Sequence, residues 1–318
     1  MIDRNTVFII GAGGSYPYGF PLGIELRQLA YRNAEPLFLK FDSEVGQDTL
    51  YDEIKLAKEF SHQFRNSGDQ SIDWFLKKFP KYSLIGKFLI LHHILQAEND
   101  SKFLEEMKPE NKKQDWYWYL YNEMSKYPKG EISPGLFLEN KIKFITFNYD
   151  RSLENFLFNC YSNGHDFASF GTTALELFKK IPIQHVYGKV AKFDWEKERE
   201  ELCIGYKGYR QNYHTLNTLK DGIHLIDERK TKKNMELGNL IMNAERIFFL
   251  GFSYADENLE MLEIPKVLKQ DQQVFGTAYG MTENEINQIK TKFSTKIRDL
   301  NLHIEDTDCL GLLRKYLN

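Results

Sequence analysis

Asn148, Asp150 and His185 are the side chains whose types and order could carry a reaction. The Asn148 amide can position a water or a hydroxyl. Asp150 can steady a developing positive charge or orient Asn148. His185, of a residue type that titrates near pH 6.5, suits a base acting on a hydroxyl or water. Each also suits a simpler task. Asn148 can cap a helix over 151–159, Asp150 can complement that helix's dipole, and His185 can pack as a satisfied core histidine. His92 and His93 have no Cys or Asp partner nearby and read as structural.

Three apolar runs must hold these groups. Val7-Phe8-Ile9-Ile10 stops at Gly11-Ala12-Gly13-Gly14-Ser15, Phe144-Ile145-Thr146-Phe147 at Asn148-Tyr149-Asp150, and Ile247-Phe248-Phe249-Leu250 at Gly251-Phe252-Ser253. Short runs rich in β-branched and aromatic residues read as buried parallel strands. Ligands of open α/β sheets bind outside the carboxyl ends of such strands. The three clusters therefore predict one ligand site. The Gly11–Ser15 turn lets backbone approach a diphosphate near a helix N-terminus, or simply makes a tight strand–helix turn. An ordinary dehydrogenase fingerprint is disfavoured, because Tyr16 stands where the last Gly is needed and Pro36 leads into helices instead of an acid-tipped second strand.

The chain has 318 residues, 42% hydrophobic and 27% charged, with a formal charge of −3. This is an ordinary globular composition and argues against a general polyanion-binding surface. The basic run Arg229–Lys233 reads as a solvated turn. Cys160, Cys203 and Cys309 form no CxxC pair, so structural zinc of the usual spacing is not expected. Sparse, odd cysteines and the lack of a signal or membrane-spanning pattern predict a cytoplasmic protein.

Periodicity predicts strands at 6–10, 142–147, Ile183–Val186, 246–250, 273–278 and 301–305. A helix from Leu22 to Arg32 follows the first turn. The stretch 36–130 then reads as helical throughout, over Leu50–Phe64, Ile72–Phe79, Tyr82–Gln96, Phe103–Met107 and Trp116–Met124. Helices at 151–159, 233–244, 256–263, 283–295 and 308–317 complete the reading, with 194–232 poorly patterned. The fold class is α/β: a Rossmann-like parallel sheet (1–35 and 140–318) with a large helical insertion (36–139). The aromatic run Trp116–Tyr119 suits helix packing or an oligomer contact more than base stacking.

The α/β part resembles the sirtuin family. Gly11-Ala12-Gly13-Gly14-Ser15 with Gly19-Phe20-Pro21-Leu22-Gly23 is similar to the family's GAGxS and GIP-like loops, Thr146-Phe147-Asn148-Tyr149-Asp150 to its TxNxD motif, and Gly251-Phe252-Ser253 to its GTS/GFS loop. His185 lies between them in the expected order. The zinc cysteines of sirtuin deacylases are missing. The chain more closely resembles the zinc-less sirtuin-like branch of bacterial antiphage defence, which carries helical insertions and often a segment like Ser71-Ile72-Asp73-Trp74-Phe75-Leu76. The family's histidine is followed at once by Gly, whereas here the order is His185-Val186-Tyr187-Gly188. Strict alignment places Tyr187 at that position; residues two apart on a strand share a face, so His185 could reach the same pocket.

The resemblance implies an NAD glycohydrolase in abortive-infection defence, releasing nicotinamide and ADP-ribose, with NAD as substrate and no metal. ADP-ribosyl transfer to a macromolecule and a non-catalytic NAD or ADP-ribose sensor are the alternatives. It implies catalytic roles for Asn148, His185 and Asp150. It implies NAD contacts at Gly11, Ala12, Gly13, Ser15, Phe20, Pro21, Thr146 and Gly251. Ser253 and Asp256 are expected on the second ribose and diphosphate side, or capping helix 256–263, and Tyr279 beside the adenine. An enzyme that drains NAD must be held silent. Control is therefore expected from self-association or a partner protein, such as an ATPase or sensor encoded nearby, with the helical block as contact region. Membrane and direct nucleic-acid binding are not expected.

Overall fold

The computed structural model of the chain describes residues 1–103, 113–127, 133–196, 202–226, 231–294 and 299–318. Its elements run β1 Thr6–Ile10, α1 Ala12–Ser15, α2 Gly23–Val45, α3 Tyr51–Asn66, α4 Ile72–Lys78, α5 Ser83–Asp100, α6 Trp116–Met124 and β2 Ile142–Thr146. Then come α7 Ser152–Gly164, α8 Ala174–Phe178, β3 Ile183–His185, α9 Tyr213–Leu219, α10 Thr231–Met242 and β4 Arg246–Leu250. The chain closes with α11 Asp256–Met261, β5 Gln273–Thr277, α12 Glu283–Ser294, β6 Asn301–Glu305 and α13 Cys309–Tyr316. The expected helix over Phe103–Met107 falls almost wholly outside the described residues, as do Arg229 and Lys230; Thr231–Lys233, expected in a solvated turn with them, instead open α10.

Six strands form one parallel sheet in the order β3-β2-β1-β4-β5-β6. This is the strand order of a doubly wound Rossmann-like α/β fold. β1 and β4 are buried at every residue, as a sheet covered on both faces requires. Phe8 pairs in register with Phe144 and Phe248, and Phe248 with Phe275. Their rings make a row across four strands, with centroids 5.4, 5.4 and 4.8 Å apart. That row fixes the register, since a one-residue slip would turn every ring to the opposite face. Thr146 and Leu250 consequently flank Ile10 at one level, and the loops after β1, β2 and β4 emerge together.

The helical excursion packs α2 against α3, α4 and α5. The expected helix end near Arg32 is corrected: α2 runs on through Pro36 to Val45. Proline inside a helix typically costs about 3 kcal/mol. Here Leu26, Ala30, Ala34, Leu37, Phe38 and Phe41 keep one buried stripe on both sides of it, and burying Leu37, Phe38 and Phe41 offsets that cost at roughly 1.5–3 kcal/mol each. The division expected after residue 35 thus falls inside α2, and the segment 11–23 contains the short helix α1. No helix among the described residues is long and apolar enough to cross a membrane.

The loops after β1 and β4 touch backbone to backbone. Gly11 N donates to the Leu250 carbonyl and Gly13 N to the Gly251 carbonyl, both at 3.0 Å. Gly251 has φ +59°, and a Cβ there would lie 2.0 Å from Gly14 N. Gly251→Ala should therefore lower stability by about 3 kcal/mol or more, through strain plus overpacking. Gly23, at the start of α2, has open space around its Cα. Gly23→Ala should be neutral or stabilising by up to ~1 kcal/mol. Denaturant melts of both variants check the pair; a harmless Gly251→Ala would contradict the close loop contact.

Candidate active site

A cavity of about 1090 Å³ opens at the carboxyl ends of β1, β2, β4 and β5. It is ample for a dinucleotide, since small-molecule sites run roughly 300–1,000 Å³. Gly11, Ala12, Gly13, Ser15, Phe20, Pro21, Asn148, Asp150, Gly251, Ser253 and Tyr279 all line it. Eleven of the fourteen residues expected at a site are thus brought together. The glycines have a more specific reason than an open anion cradle. Gly11, Gly13 and Gly14 direct their N–H groups to the carbonyls of Leu250, Gly251 and Gly11. Their missing Cβ atoms admit the β4 loop.

Asn148 is the fixed point of the site. It is buried, and its Nδ2 donates to the Gly11 carbonyl at 3.0 Å and to Ser15 Oγ at 3.1 Å. Both amide hydrogens are therefore engaged. No described group donates to Oδ1, so that acceptor is left for a ligand or water in the cavity. Thr146 does not line the cavity; its Oγ1 accepts from Asn148 N at 3.0 Å and pins the loop from below. Asp150 accepts from Ser152 N at 3.0 Å and from the Ser152 hydroxyl at the start of α7. Its capping task and its place in the cavity wall coexist. Burial pushes the Asp150 carboxyl up, while bonds from Ser152 and Ser15 and the nearby His185 charge pull it back.

His185 lies elsewhere than expected. It is buried behind Asn148 and does not line the cavity. Its Nδ1 sits 2.9 Å from the Asn148 carbonyl and its Nε2 2.9 Å from Glu154 Oε1. Both ring nitrogens are thus engaged within the fold, and neither faces the cavity. Lys189 Nζ also donates to Glu154 Oε1 at 3.1 Å. Burial alone would raise the Glu154 carboxyl, but His185 and Lys189 hold it down at about 2. His185 thus braces the Asn148 backbone. Tyr187, two residues on, does line the cavity, and its hydroxyl donates to Asn258 Oδ1 at 2.9 Å.

Asp256 also departs from expectation. It is exposed and pairs with Lys292 Nζ at 2.7 Å, while Glu257 and Asn258 of the same helix turn line the cavity. The cavity further includes Ser71, Asp73 and Trp74 around α4, and Tyr149. The Tyr149 hydroxyl donates to Asp73. The Ser-Ile-Asp-Trp segment is the sequence signal for Ser71, Asp73 and Trp74, and it carries no spacing to the β2 loop, whereas Tyr149 lies within the Thr146–Asp150 motif itself. His92 Nδ1 pairs with the Tyr209 hydroxyl at 3.0 Å, and burial pushes both His92 and His93 down to about 4. Trp116 and Tyr117 are buried: Trp116 Nε1 donates to the Gly14 carbonyl at 2.8 Å. The aromatic run thus packs against the β1 loop, with Trp118 exposed. Among the described residues, no group of three His, Cys, Asp or Glu side chains is placed to hold a metal ion.

No protein-family model matches the chain, and comparison with curated proteins finds no match.

The Glu154 shift has a testable sign. Its folded-state pKa lies below the unfolded value of about 4.3, so its stabilisation is present above that pH and is lost as pH falls towards 2. The displacement corresponds to on the order of 3 kcal/mol. Glu154→Gln should lower stability at pH 7, and the difference from wild type should shrink steadily below pH 4. A pH-independent difference in thermal or denaturant melts would contradict this network.

Proposed function

We propose that the chain is an NAD glycohydrolase of the sirtuin-like kind, cleaving the nicotinamide–ribose bond. The observation that carries this reading is the Asn148 amide: buried, held by both hydrogens, with Oδ1 left for a ligand beside Asp150. Mere binding of a dinucleotide does not require a polar group fixed in this way next to a buried carboxylate.

The residues suit the chemistry. As the bond to C1′ breaks, its electron pair leaves with neutral nicotinamide and positive charge develops on the ribose, as in glycoside hydrolysis. The Asp150 carboxylate steadies that charge. A water held by Asn148 Oδ1 adds to C1′, and its proton passes to Asp150, giving ADP-ribose. Burial moves the Asp150 carboxyl towards neutral pH, the direction that favours proton acceptance there. His185 acts in this reading as a positioning residue behind Asn148. A role in antiphage defence, with activity released by self-association or a partner, follows from the resemblance and belongs to the same proposal.

One observation favours a second reading. With both His185 nitrogens engaged, the cavity lacks an imidazole base, which a non-catalytic NAD or ADP-ribose sensor would not need. Nicotinamide release by the purified protein, with and without neighbouring gene products, separates the two. Asn148→Ala should reduce kcat by ~10²-fold or more while NAD binding persists. Asp150→Asn should remove an acid limb whose apparent pKa lies above the ordinary Asp value of about 3.9. Wild-type turnover in both variants would overturn the mechanism, and tight NAD binding without release under any condition would favour the sensor.

A further inference from the structure

The segment 148–152 sorts its side chains by parity. Asn148, Asp150 and Ser152 turn towards the β1 loop and α6. Asn148 and Asp150 both meet Ser15, and Ser152 Oγ lies 2.7 Å from the Tyr117 hydroxyl. Tyr149 and Arg151 turn the other way, into the helical layer. The Tyr149 hydroxyl donates to Asp73 on α4. Arg151 donates through Nε to Glu98 Oε1 at 3.1 Å and through Nη2 to Glu98 Oε2 at 2.6 Å, near the end of α5. The two groups expected to meet substrate are thus interleaved with two anchors, and both anchors are carboxylates of the helical excursion.

We propose that Asp73 and Glu98 are positioning residues through which the helical layer sets the geometry of Asn148 and Asp150. The inference rests on the glycohydrolase reading of the site. A shift of α4 or α5 against the sheet moves Tyr149 or Arg151, and with them the peptide units that carry the reacting groups. A second copy or a partner bound to the helical layer would then gate the site without entering the cavity. The two anchors differ in kind. Glu98 and Arg151 are 1% and 0% exposed, and a fork so deeply buried is a permanent fixture. The Asp73–Tyr149 hydrogen bond lies in the cavity wall, with Tyr149 buried and Asp73 partly exposed to the cavity. It is the adjustable one. Misplacing a reacting group by about 1 Å can lower a rate ~10²-fold, so small movements suffice.

Tyr149→Phe removes one hydroxyl and leaves the ring packing, while Asp73→Asn keeps an acceptor and Asp73→Ala removes it. Tyr149→Phe and Asp73→Ala should each lower kcat for nicotinamide release roughly 10- to 100-fold, with KM for NAD within about 3-fold. The double variant should be no worse than either single one, because both act through one contact. Asp73→Asn should retain most activity. Hydrogen–deuterium exchange of the full chain should quicken across 148–152 in Tyr149→Phe and Asp73→Ala alike, with β1 and β4 unchanged. If Asp73→Ala raises KM while Tyr149→Phe is kinetically silent, Asp73 contacts substrate directly and the proposal falls. It also falls if exchange across 148–152 is unchanged in both variants. Quickened exchange in both variants, together with a wild-type protein that releases no nicotinamide, keeps the anchor and removes the glycohydrolase reading.

Discussion

The buried fork between Arg151 and Glu98 is the constraint on which the rest of the site depends. Arg151 also donates through Nη1 to the Ile204 carbonyl at 2.7 Å, and its guanidinium lies 4.5 Å from the Phe193 ring centroid. Its backbone N–H donates to Glu98 Oε1 at 3.2 Å. One side chain thus ties the end of α5, the start of α7 and the stretch after β3. Burial pushes the Glu98 carboxyl up, and the guanidinium beside it pulls the other way. Removing either partner would leave a buried charge without its mate, a loss of about 3–5 kcal/mol. A pair of hydrophobic residues could match its stability. What it supplies is a fixed place for the loop that carries Asn148 and Asp150.

Around that point the sheet and the helices divide the work. The in-register strands bring the β1, β2 and β4 loops to one level, and the Gly11, Gly13 and Gly251 contact closes two of them against each other. His185, Glu154 and Lys189 brace the third from behind. The helical layer supplies the opposite wall of the cavity through Ser71, Asp73 and Trp74. An element read from sequence as an insertion beside the site is therefore part of it.

Much of this was legible in the residues. Buried parallel strands are continuous apolar runs, and the strands at 6–10 and 246–250 begin and end where the pattern places them, as does the edge strand at 301–305 with its alternating Leu302 and Ile304. Trp116–Met124 matches at both ends for the same reason of clean periodicity. The full length of α2 was obscured because Pro36 signals a stop; the buried stripe through Leu37, Phe38 and Phe41 overrode it. Residues two apart share a face only along a strand, and β3 ends at His185, so Tyr187 in the turn that follows parts from it. Glu154, which comes from α7, captures the imidazole. Asp256 was misplaced by helix phase, since its neighbours Glu257 and Asn258 occupy the inward positions. Asp73 was out of reach because only tertiary packing joins it to Tyr149, 76 residues away.

The proposed cleavage requires NAD to sit in this cavity with its nicotinamide ribose beside Asn148 and Asp150. A crystal structure of the Asn148→Ala protein with uncleaved NAD tests this most directly. The predicted result places the nicotinamide ribose beside Asp150 and residue 148, with the diphosphate along the loops after β1 and β4. NAD bound outside this cavity, or reversed so that the adenine end lies against Asp150, would contradict it.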